Sequence, residues 1–336
     1  MIAYVDAYEG RLGGEPICRT LQHAPACGSI TARGYFQARK RTVSGMRARH
    51  ETLARDVQLI HAHRFQAVYG YRKMLMQPTR QGWRHIGRDQ VSHVMQTRGV
   101  RGVRRGRVPA ATRPARSGGG REDSVKRELH ACAPGRLHAA DITYVKLANG
   151  SFACAAFVTD VYARRIVGWA VSKSQHARSL PLAALDQAIA WSRRHGGTKG
   201  LIHHSGHGTQ CISALYSTHL AEAGMLAGTG SGGDSHDNAL AETLNGAYRT
   251  ELIKQVQPFE SVEALQQATF DWASWWNNQR LHQHLHHHTP AEAEAEHYQT
   301  QAVQTVVKNQ QTSMNKIQST SPLTHVDISD TKTWNS

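Results

Sequence analysis

Residues 141–172 read DITYVKLANGSFACAAFVTDVYARRIVGWAVS, and this stretch decides the fold. It holds three short runs rich in β-branched and aromatic residues, 141–147, 151–161 and 164–172, separated by Ala-Asn-Gly and Tyr-Ala-Arg turns. That is the pattern of an antiparallel meander. Downstream the period changes. A helix is expected from about Arg178 to Arg194, a strand at 199–204 (KGLIHH), a helix at 213–224, a Gly-rich loop from Gly228 to Gly233, and one long helix over 237–253 (DNALAETLNGAYRTELI). Strands first, then alternating helix and strand, argue one α/β layer fold, a mixed sheet flanked by helices. Another amphipathic helix is expected over 260–277, with Trp272, Trp275 and Trp276, followed by the His-rich LHQHLHHHTPAEAE.

Upstream of the meander the chain is helical and basic. Residues 51–65, ETLARDVQLIHAHRF, put Leu53, Val57, Ile60 and Phe65 near one helical face. A second helix is expected from Tyr69 and a third from about Gly87 to Thr97, with a turn at Arg80 to Trp83, the plan of a helix-turn-helix unit. Pro78 is expected to end the second helix early, because it has no N–H and disfavours helix before it. The chain thus divides into an N-terminal helical segment (1–48), a helix-turn-helix (49–98), a linker rich in Gly, Arg and Pro (99–130), a core with its C-terminal helix (131–297) and a polar tail (298–336) expected to lack packed structure.

Charge separates the two halves. The 336 residues carry a net +15, yet residues 1–130 hold 25 Lys or Arg against 9 Asp or Glu, and the remainder is nearly neutral. Segregated cationic charge reads as a nucleic-acid footprint rather than a solvated face of mixed sign. No apolar run approaches the roughly 18 to 20 residues of a membrane span, the N-terminus lacks an apolar signal core, and the five cysteines form no CxxC pair. A cytoplasmic, nucleoid-associated protein without a membrane partner is expected.

Two acids stand out. Asp141 sits in a strand with Ile142 and Tyr144 on the opposite face, so it must be solvated, paired or bound to metal. Glu242 lies one turn into the 237–253 helix, which Asp234 or Asp237 can cap, and Arg249 follows seven residues later on the same face. A carboxylate can hold metal there while a guanidinium holds phosphate; an ordinary surface pair is the alternative. His203, His207 and Cys211 share helical spacing, but Gly206 and Gly208 argue against that helix and a zinc site. The GTGSGG stretch at 228–233 lacks the βαβ setting of a dinucleotide site. The histidines of residues 282–288 are expected to form a solvated turn.

DITYV, AFVTDVYARRIVGWAVS, LIHHSGHGTQCIS, GDSHDNALAETLNGAYRTEL and WWNNQRLHQHL, in this order, resemble the second-reading-frame transposases of insertion sequences, which have a retroviral-integrase-type DDE core. The resemblance spans about residues 1–297. It implies a ribonuclease-H-like sheet, an Asp, Asp, Glu triad, two Mg²⁺ ions, cleavage and strand transfer on double-stranded DNA, and a homo-oligomer. Carried over, Asp141 and Glu242 are the metal ligands; Arg249, from its place on the helix face, is the expected phosphate contact, and Arg101, Arg104, Arg105 and Arg107 of the basic linker are expected to contact DNA. The second Asp falls on Gly206, with 35 residues intervening before Glu242, the spacing the family favours. Cys211, Gly228 and His236 also depart from the family pattern, as does Pro78. The expectation is a DNA transposase or integrase subunit of impaired activity. The rival readings are a catalytically inactive DNA-binding regulator, or decaying copy, and a ribonuclease acting on RNA:DNA hybrids.

Overall fold

The computed structural model describes residues 1–23, 30–41, 44–103, 131–173, 180–205, 214–229, 239–256 and 258–319. The chain forms two compact units, one of residues 1–63 and 69–102, the other of 64–68 and 103–336.

The first unit is all helical. Helices α1 (Ile2–Leu12), α2 (Gly14–Gln22) and α3 (Ala32–Lys40) bury Val5, Ile17, Cys18 and Tyr35 as a small core. Helices α4 (Gly45–Ala62), α5 (Tyr71–Arg80) and α6 (Arg88–Thr97) follow. Leu53, Val57 and Ile60 are buried as the period requires, together with Met74 of α5 and Val91 and Val94 of α6. Phe65, expected on that face, lies beyond the helix end and packs on Trp275 in the second unit, with ring centroids 5.2 Å apart. The expected early stop at Pro78 is corrected. The helix runs to Arg80, because a proline in the last turn forfeits only its own N–H while its carbonyl still accepts from Gln81 and Trp83. The α5–α6 connection spans 81–87, and the Trp83 indole pins it to α4 by donating to Asp56 at 2.7 Å.

The second unit is built on a five-stranded sheet of order β3-β2-β1-β4-β5. The meander forms as read: β1 (Leu137–Lys146) pairs antiparallel with β2 (Phe152–Asp160), which pairs antiparallel with β3 (Ile166–Ser172). Helix α7 (Leu180–Arg194) then crosses over, and β4 (Ile202–Ser205) joins β1 in parallel. Gly168 makes the α7 packing possible, since a Cβ there would sit 2.0 Å from the Ala184 carbonyl oxygen. After α8 (Ala214–Glu222) comes β5 (Leu226–Thr229), parallel to β4. This strand corrects the loop expected from Gly228. Its four residues give no alternation to read, and Gly228 lies close against Ile202 of β4.

The helix expected over 237–253 is two segments among the described residues, α9 (Ala239–Tyr248) and a π-helical turn (Arg249–Ile253), continuing into the short α10 (Lys254–Val256). Helix α11 (Val262–Asn278) buries Trp272, Trp275 and Trp276. Helix α12 (Pro290–Ser319) corrects the expectation for the tail, which is helical as far as Ser319. A capping box starts it: the Thr289 N–H donates to Glu292 at 2.9 Å and the Glu292 N–H to the Thr289 hydroxyl at 3.2 Å. Among the described residues no helix is long and apolar enough to cross a membrane.

Candidate active site

Strand parity puts Ala139, Asp141 and Thr143 on one face of β1, and α9 packs on that face through Leu240 and Ala241. The same helix face carries Glu242, Asn245 and Arg249, spaced i, i+3, i+7. The Asn245 amide donates to Asp141 Oδ2 at 2.8 Å. The Arg249 guanidinium donates twice to the Thr143 hydroxyl, from Nε at 2.9 Å and Nη2 at 2.6 Å. Arg249 opens the π-helical turn.

Asp141 is partly buried, and its environment pushes its pKa up to about 6. Burial is the main cause; the Asn245 amide and the Arg249 charge oppose it, while the negative charge of Glu242 adds to it. A carboxylate raised by burial and by the negative charge of a second one forms a site that a cation would relieve. Both are hard oxygen donors of the kind Mg²⁺ selects. Among the described residues no group of three or more His, Cys, Asp or Glu side chains is placed to share a metal.

The nearby buried acid Asp160 is occupied otherwise. It accepts N–H bonds from Gly135 and Ala163, each at 2.8 Å, and lies opposite His138, on the other face from Asp141. On the β4 side, the last described pairs are Ala139 with His204 and Ala140 with Ser205. Asp141 follows Ala140 in β1, whereas Gly206 lies outside the described residues, as do His207, Cys211, Asp234, His236, Asp237, Arg104, Arg105 and Arg107. Arg101 is exposed. His203 is buried and bonded to the Tyr216 hydroxyl at 2.7 Å.

Thus Asp141, Glu242 and Arg249 come together at one helix-strand interface. Sequence reading missed Asn245 and Thr143, although i+3 from Glu242 and i+2 from Asp141 were signals enough. The support beneath them was also missed. Glu251, in the π-helical turn, forms a buried bidentate pair with Arg280 at 2.8 and 2.6 Å, and Arg280 lies 4.2 Å over the Trp276 ring. His282 beside it is buried, which corrects the solvated turn expected for all five histidines.

An antiparallel meander, a parallel addition through a crossover helix and an acid pair between β1 and α9 define an integrase-type core. The Integrase core domain family matches residues 131–235 and, in a second segment, 226–290. The chain belongs to the insertion-sequence transposases with such a core. It is 40% identical over 274 residues to the putative transposase for insertion sequence element IS986/IS6110 of Mycobacterium tuberculosis, covering 79% of this chain and 94% of that protein. With the transposase for IS629 of Shigella sonnei it is 38% identical over 300 residues, covering 89% and 97%. A solved structure, the HTLV-2 integrase catalytic core domain in complex with magnesium, matches at 16% identity and a TM-score of 0.38 over 49% of this chain and 99% of that one.

Proposed function

We propose that this chain is a transposase subunit that holds double-stranded DNA through its basic N-terminal half and directs Mg²⁺-dependent cleavage and strand transfer from the Asp141–Glu242 pair, with strongly reduced activity because Gly206 occupies a ligand position. The observation that carries the chemical part is the half-buried Asp141 carboxylate, its pKa raised in part by Glu242 on the facing helix. Asp141 and Glu242 would hold the ion. When bound, Mg²⁺ supplies Lewis-acid stabilisation of charge on the phosphoryl oxygens. Asn245 orients the Asp141 carboxylate, and Arg249, steadied by Thr143, presents positive charge on the same helix face for a phosphate.

Glycine offers no side-chain oxygen. A unit charge about 4 Å from a cation is worth roughly 4 kcal/mol at an effective dielectric near 20, or about a thousandfold in rate. The DNA part of the reading rests on the 25 cations against 9 acids of residues 1–130 and on helices α4 to α6, with α6 as the groove-facing helix. Gly206 equally favours the second reading, a DNA-binding regulator without catalysis.

The test is a Mg²⁺-dependent strand-transfer assay on the whole chain and its Gly206→Asp variant. The expected result is a gain of about a hundredfold or more in the variant, within the range set by one metal-ligand charge. No gain refutes the missing-ligand account. Cleavage of an RNA:DNA hybrid without joining of DNA ends refutes the transposase chemistry.

A further inference from the structure

The first three helices have an organisation of their own. Residues 1–41 contain three acids, Asp6, Glu9 and Glu15, all on α1 and α2, whereas α3 contains none. Each acid has an internal partner. The Tyr35 hydroxyl donates to Asp6 at 2.7 Å and to Glu9 at 3.1 Å; Glu9 also pairs with Arg39, and Glu15 pairs with Arg19 at 3.3 Å.

Tyr35 is fully buried among Val5, Ile17 and Cys18, and its two bonds to α1 fix which face α3 turns outward. That face shows Arg33, Gln37 and Lys40, at i, i+4 and i+7, all exposed, with Arg41 just beyond the helix. Arg33, Lys40 and Arg41 pair with no acid among the described residues.

We infer that α3 is a second DNA-docking helix, distinct from the α4–α6 unit, with Arg33 and Lys40 on backbone phosphates and Gln37 between them facing the base edges. The inference rests on the reading that the chain acts on DNA. Seven residues of helix separate the two cations by about 10 Å, close to the roughly 12 Å width of the major groove. A side-chain amide between two cations suits a duplex, where phosphate contacts position and an amide reads base edges. A lipid surface would call for several large apolar groups on this face, whereas beside Arg33, Gln37 and Lys40 it carries one, Phe36, which is 40% exposed.

The test measures binding of the full chain to a short random-sequence DNA duplex by fluorescence anisotropy across a salt titration. Arg33→Ala/Lys40→Ala is compared with the charge-matched Arg11→Ala/Arg19→Ala and with Arg33→Lys/Lys40→Arg. The α3 double-alanine variant is expected to lower the slope of log affinity against log salt by about 1.8, the loss of two phosphate contacts. The control and the charge-conserving variant are expected to keep the wild-type slope. A wild-type slope in the α3 alanine variant, or the same loss in the Arg11/Arg19 control, overturns the assignment of α3 and leaves DNA action standing. Wild-type protein without salt-sensitive binding overturns both.

Discussion

Replacing Asn245 by alanine removes the side-chain hydrogen bond it donates to Asp141 at 2.8 Å. A hydrogen bond to a charged group is worth about 1.5–3 kcal/mol net, and each pKa unit corresponds to about 1.4 kcal/mol. The loss falls on the ionised form, so the pKa rises, by about 1 to 2 units on those figures. Asp141 is only partly buried, and water replaces some of what the amide gave, which favours the lower end. From a starting value of about 6, the carboxyl should titrate near 7. At pH 7 its ionised fraction would then fall from about nine-tenths to about half, leaving far less carboxylate to meet a cation. Carboxyl-carbon NMR titration of Asp-labelled protein measures this directly. Asn278→Ala serves as control, since the Asn278 amide donates to the Ser274 carbonyl of its own helix at 2.9 Å. A change in the Asp141 titration below about 0.3 units, or a downward one, would refute the claim that Asn245 holds the ionised form.

Two further outcomes follow from buried polar groups in the core. Arg280→Met strands the buried Glu251 carboxylate and should cost about 3–5 kcal/mol, read as a lowered urea midpoint by fluorescence of the neighbouring tryptophans. Glu251→Gln/Arg280→Met should recover part of that loss, and strictly additive costs would sink the pair as the cause. His138 is buried and its pKa is pushed down to about 3 by desolvation, below the roughly 6.5 of an unfolded chain. Its contribution is therefore complete above pH 6.5 and is lost as pH falls toward 3. The loss should amount to roughly 2 kcal/mol by pH 5. Asp141 and Asp160, raised to about 6, act in the opposite sense. The histidine share is therefore taken as wild type minus His138→Phe, and a difference that stays flat between pH 7.5 and 5 contradicts it.

The meander was legible because 141–172 holds three short runs rich in β-branched and aromatic residues with turn residues between them, and local pattern is enough where strands are consecutive. Asp141, Glu242 and Arg249 were legible because i+7 on a helix and parity on a strand fix faces before any packing is known. Asn245 lay on the same helix face and was passed over, since an amide carries no charge to draw attention. Strand β5 was hidden because a four-residue strand containing Gly228 is held by its neighbour β4 rather than by propensity. The helix beyond Gln299 was hidden by composition, while its start was set locally by the Thr289 and Glu292 cap.

The sequence by itself determined the segregation of cationic charge, the order of strands β1 to β4 with the crossover helix between them, the two acids and the absence of a carboxylate at position 206. These follow from residue identity and short-range period. Only the tertiary structure decided that Asn245 bonds Asp141, that Thr143 steadies Arg249 and that the π-helical turn is anchored through Glu251 and Arg280, a pair 29 residues apart. Likewise, only the packing of Tyr35 on α1 decided which face of α3 remains open. Such partners are chosen by which surfaces exclude water together. That choice belongs to the folded chain, because residues distant in sequence share no local pattern that could announce it.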